Sequence, residues 1–186
     1  MTRRWQLLLF YFVVAAVCSF LVIHSVARIE DKYLQTHRAF LDPAVYQEHL
    51  FKLWELSHQK SRWQLIGMEL SDPAESGEIT QFAFRTIPVL LLNPDWLKSP
   101  KAQLITSGFS LFVFVFLLLL TVHRRTGNLF YATAGACLFC SPPGIYEPYY
   151  GLGALWLDLS AGFLAAAAVL CLINSEKGEK LVWLAG

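Results

Sequence analysis

Apolar residues gather in three long runs along this chain, at 5–26, 104–122 and 152–174, and most of the charged ones lie between the first two. Each run is close to the ~20 residues that an α-helix needs to cross a ~30 Å hydrocarbon core. Hydrocarbon offers backbone amides no water, so a helix is the form such a segment takes. The pattern predicts an all-α membrane protein: a polytopic helical bundle with a large extracytoplasmic loop that bears amphipathic helices.

Flanking charges set the expected direction of each span. Arg3 and Arg4 precede the first, His123, Arg124 and Arg125 follow the second, and Lys177 and Lys180 follow the last. Basic flanks stay in the cytoplasm, so all three clusters belong on that side. Parity then puts 27–103 outside and requires one more crossing between Arg125 and Leu152. The candidate is 128–141, a short segment that stops at Pro142-Pro143 and either spans or re-enters. The chain divides accordingly into a cytoplasmic N-terminus and first span (1–26), the outer loop (27–103), spans two to four (104–174) and a cytoplasmic stretch (175–186). Its last six residues, 181–186, open a fifth apolar run, as in the N-terminal part of a longer polytopic protein. The first run is too long for a signal-peptide core and lacks a small-x-small cleavage site, so it reads as an uncleaved span.

The loop has a pattern of its own. Asp42-Pro43 has the order of an N-cap followed by a first-turn proline. Tyr46, Leu50, Leu53 and Trp54 then make one apolar stripe, with Glu48 and Lys52 paired at i,i+4, so 45–57 reads as an amphipathic helix. A polar turn at 71–77 follows, then an apolar stretch at 79–92 interrupted by Pro88. Asn93-Pro94-Asp95-Trp96 ends it, and Trp96 with Lys98 and Lys101 marks the interface before the second span. Two membrane-hugging helices are expected.

Composition agrees with this picture. Apolar residues make up 55% and charged residues only 16%, below the roughly 25% of a soluble domain. Of the chain's 15 Lys/Arg and 14 Asp/Glu, the loop holds nine and ten. A net charge of +1 provides no basic surface for nucleic acid. Cys18, Cys137, Cys140 and Cys171 all fall in apolar segments, and the Cys137-x-x-Cys140 pair reads as helix packing rather than redox or metal chemistry. His24, His37, His49, His58 and His123 show no metal-ligand spacing.

Ionisable groups at or near spans are the candidates for chemistry. Glu30 and Asp31 follow the first span, where carboxylates suit a general base or a divalent cation. Asp158, near the outer end of the last span, and Glu147 would set two carboxylates near one outer surface, beside Tyr149, Tyr150 and Trp156. Arg85 is the lone cation of 81–88, and a guanidinium fork suits a lipid phosphate.

The order of these pieces resembles the start of the GT-C superfamily, multi-spanning glycosyltransferases that use polyprenyl-phosphate sugars. Leu41-Asp-Pro-Ala-Val-Tyr46 and Phe82-Ala-Phe-Arg-Thr-Ile-Pro-Val-Leu-Leu91 carry the local likeness, the second being similar to a Tyr/Phe-Arg-x-x-Pro-x-Leu pattern. Glu30-Asp31 is followed by Lys32, unlike the double-acid motif of protein mannosyltransferases, which leaves open which acid acts. The resemblance implies a bacterial inner-membrane enzyme that moves a sugar from the lipid-phosphate donor to an acceptor at the outer face. Asp31, Asp42 or Glu30 would be its base. Arg85 would hold the departing phosphate, and Glu147, Asp158 and Tyr149 would bind substrate. The alternative is a non-catalytic polytopic protein, an assembly subunit or a transporter fragment.

Overall fold

The computed structural model describes residues 3–36, 41–71, 81–99, 104–146 and 158–175, and among them every regular element is helical. The elements are α1 (Arg3–Thr36), α2 (Leu41–Ser57), α3 (Arg62–Ser71), α4 (Gln81–Leu92), a 3-10 helix (Pro94–Lys98), α5 (Leu104–Thr126), α6 (Leu129–Phe139), α7 (Pro143–Tyr146) and α8 (Asp158–Asn174). Two stretches, Trp5–Ile29 and Leu104–Thr126, are long and apolar enough to cross a membrane.

α1 buries one stripe, Tyr11, Ala15, Ser19, Val22 and Val26, at helical spacing. Its opposite side exposes Trp5, Leu9, Phe12, Val13, Phe20 and Leu21. The helix does not stop where its apolar run does. No Gly or Pro occurs between Ser25 and Thr36, so α1 continues through Glu30 and Asp31.

Side-chain contacts fix the helix directions. Ile23 of α1 meets Gly108 near the start of α5, while Tyr11 hydrogen-bonds His123 near its end, so the two run antiparallel. α5 and α8 run parallel: Ser160 Oγ donates to Ser107 Oγ at 3.1 Å, and Asn174 Nδ2 donates to Thr121 Oγ1 at 2.5 Å. The chain must therefore travel back along the bundle between Thr126 and Asp158. α6 makes the first part of that return. Gly127, at φ +66°, ends α5, and Asn128 Oδ1 accepts the Phe130 amide at 2.8 Å to start α6. Eleven residues of α6 rise about 16 Å, half a hydrocarbon core. Before Pro142-Pro143 the helix stops, and Phe139 packs on Phe114 with ring centres 4.4 Å apart and planes tilted by 45°. Phe163 of α8 completes this aromatic layer at 5.7 Å from Phe114. Leu111, Val115 and Leu119 of α5 join the same core with Ala132 and Ala136 of α6 and the buried stripe of α1.

α2, α3, α4 and the 3-10 helix form a second cluster, here called the cap, around Leu50, Leu53, Leu65, Val89, Leu90 and Leu97. Three α-helices stand where two were expected. The extra one, α3, opens with a capping box: Ser61 N donates to Gln64 Oε1 at 2.9 Å, and Gln64 N donates to Ser61 Oγ at 3.4 Å. α2 starts at Leu41, earlier than the expected 45, so Asp42 lies inside its first turn instead of capping it. Pro88 sits inside α4, and Asn93 Oδ1 accepts the Asp95 amide at 3.1 Å to begin the 3-10 turn.

Candidate functional site

Among the described residues, the cap buries the carboxylate of Glu69. Glu69 of α3 is 7% exposed at its side chain, and a charge there needs donors from neighbouring helices. Thr86 Oγ1 of α4, fully buried, donates to Glu69 Oε2 at 2.6 Å. His49 Nε2 of α2 donates to Oε1 at 3.0 Å. Since a carboxylate only accepts, the contact assigns the imidazole proton to Nε2. One carboxylate thus ties three helices together, and the half-buried His49 is its outlet toward solvent.

On the other side of α2 an open groove of about 490 Å3 runs along the 3-10 helix. Phe51 and Leu97 are apolar walls, and Glu48, Lys52, Glu55 and Lys98 make a mixed-charge rim. Glu48 and Lys52 pair at 2.7 Å, and the hydrogen bond from Lys52, then its charge, holds the Glu48 carboxyl below its ordinary value. Lys98 lies 5.6 Å from the Trp54 ring centre, a cation–π contact.

Five of the expected site residues fall on described helices. Glu30 and Asp31 occupy the turn of α1 after its apolar window, and Asp42 the first turn of α2. Arg85 precedes Thr86 on α4, at the Glu69 end of the cap. Asp158 is the first residue of α8, two before the Ser160 that meets Ser107 near the start of α5. The side chains of these five lie outside the described residues, as do Glu147 and Tyr149 entirely. Among the described residues, no set of three or more His, Cys, Asp or Glu side chains converges to hold a metal ion.

Sequence reasoning missed two clusters. His49, Glu69 and Thr86 have no motif spacing, and a carboxylate on the inner face of a short helix is the only signal. Cys18 of α1 lies near both Cys137 and Cys140, so the expected isolated pair has a third thiol beside it. With this geometry in hand, comparison of the chain with family models, with curated proteins and with solved structures yields no match.

Proposed function

We propose that the chain is a multi-pass membrane protein whose cap stands at the extracytoplasmic face, in a bacterial inner membrane with the N-terminus in the cytoplasm. α1 supports this reading most directly. Only 22% of its most apolar window is buried, and its exposed side is a continuous stripe of Leu, Val and Phe. A soluble protein's core helix would bury such a face, whereas lipid is its natural solvent. The parallel run of α5 and α8 supports an additional crossing between them, begun by the half-length α6.

For chemistry we propose a GT-C-like transferase acting on a polyprenyl-phosphate sugar at the extracytoplasmic face. The observation that supports this is that Glu30 and Asp31 occupy the turn of α1 just after its apolar window, while Asp158 opens α8 beside the start of α5. In the reaction an acceptor hydroxyl attacks the anomeric carbon of the sugar. The new C–O bond forms as the bond to the polyprenyl phosphate breaks, and the hydroxyl proton passes to a carboxylate, Asp31 or Asp42. General-base help of this kind contributes ~10²–10⁴-fold. Arg85 neutralises the departing phosphate.

The test is sugar transfer by the full-length gene product in proteoliposomes loaded with polyprenyl-phosphate sugars. D31N or D42N should lower turnover at least ~100-fold, and R85K should weaken donor use. No transfer with any donor would leave a membrane adaptor without catalysis, and transfer indifferent to all three variants would remove Asp31, Asp42 and Arg85 from the mechanism.

A further inference from the structure

The cap presents an apolar surface that the proposed chemistry does not use. α3 and α4 run antiparallel: Thr86 meets Glu69 at one end, and at the other the Arg62 guanidinium donates to the Leu91 carbonyl at 3.3 Å. That second end gathers Trp63, Leu92 and Trp96, exposed by 75%, 57% and 46%, together with exposed Leu91. Arg62 stands among them, and Lys98 follows Trp96 by two residues with its ammonium 5.6 Å from the Trp54 ring centre, both cations being exposed. Indole rings beside basic side chains match the headgroup layer of a bilayer, where the ring sits at the interface and the cation meets phosphate. An exposed apolar patch rimmed by polar groups marks an interaction surface.

Connectivity selects the occupant. Only residues 99–103 separate Lys98 from Leu104, where α5 begins, so this end of the cap cannot stand more than about 20 Å from that level. α1, by contrast, carries the chain past its apolar window. Ile29 to Thr36 is seven residues, about 10 Å of helix, before α2 begins. The N-terminal half of α2 lies at the opposite end of the cap, where His49 meets Glu69. The chain climbs from the bilayer along α1, enters the cap at its far end, and returns to the bilayer through the 3-10 helix.

We propose that the cap docks on the lipid headgroup layer through this returning end, with Trp63 and Trp96 as interfacial anchors and Arg62 and Lys98 on lipid phosphates. The inference rests on the membrane reading above and adds the face that touches lipid. It is tested with the full chain reconstituted into vesicles of zwitterionic and anionic phospholipids, brominated either near the headgroup or deep in the acyl chain. W63F and W96F each remove exposed rings without opening a core, and each should lower the emission quenched by headgroup-proximal bromine by roughly a third or more. L70W, on exposed Leu70 at the far end of α3, should add emission that this bromine does not quench. F20W, on the outward face of α1, reports the membrane reading separately through deep bromine. If F20W is quenched while W63F and W96F leave the headgroup-quenched fraction unchanged, or L70W is quenched as strongly as the native rings, the docking proposal is overturned. If F20W is not quenched, the membrane reading falls and the docking with it.

Discussion

Thr86 donates its hydroxyl hydrogen to Glu69 at 2.6 Å, inside a cap whose other buried groups are almost all hydrocarbon. The same carboxylate accepts from His49, so α2, α3 and α4 share one charged centre. Removing a donor from a buried carboxylate costs about 1–3 kcal/mol, and more when the anion loses several partners. T86V should therefore destabilise the cap by about 1–3 kcal/mol, and E69A by at least as much. Amide hydrogen exchange in the full chain checks this: α3 and α4 should lose protection while α5 keeps it. Unchanged exchange in the cap would mean that the centre is not a structural tie.

Gly108 and Ile23 set the distance between α1 and α5. A Cβ on Gly108 would stand 3.1 Å from Ile23 Cγ1, closer than packed carbons rest. G108V should destabilise the bundle by about 1–3 kcal/mol through overpacking, and I23A should recover part of that loss in the double variant. Thermal unfolding in detergent gives both values. Additive losses in the double variant would show that the two positions do not meet.

The thiol cluster makes a chemical prediction. Cys18 lies near both Cys137 and Cys140, whereas Cys171 lies on α8 and is exposed. Oxidation by diamide should join α1 to the end of α6, detected as a link between fragments after cleavage at a protease site inserted between α3 and α4. The diamide takes up two electrons and two protons as the two thiols become a disulfide. C18A should abolish the link, and C171A should leave it intact.

The surface pair on α2 predicts a titration. The hydrogen bond from Lys52 lowers the Glu48 carboxyl from its ordinary value of 4.5. Because the folded value is depressed, the pair's support for α2 is present above 4.5 and fades as pH falls through the lower folded value. Carboxyl chemical shifts should give a Glu48 midpoint below 4.5, and K52A should return it toward that figure.

Legibility in the sequence followed the range of the signal. α5 was readable because an apolar run of membrane length is a local property, and only its last turn, His123–Thr126, escaped the hydrophobicity pattern. α2 was readable from its stripe, including the Glu48–Lys52 pair. α3 was not, because ten residues carry too few turns to show a period. Its Ser61-x-x-Gln64 capping box was the one available signal. The extension of α1 beyond Ile29 was hidden by its charges, which end the apolar run without ending the helix. Pairings such as Glu69 with Thr86, or Cys18 with Cys140, join residues on different helices, and no local pattern encodes them.

The proposed topology puts the cap and the Arg124–Arg125 end on opposite sides of a bilayer. In a chain with its four native cysteines replaced by alanine, single cysteines at Ser71, Arg125 and Ser175 report the two faces to a membrane-impermeant maleimide. S71C should be labelled from outside intact cells, while R125C and S175C should be labelled only after the membrane is opened. Labelling of all three from one side would contradict it, as would release of the chain from membranes by alkaline carbonate.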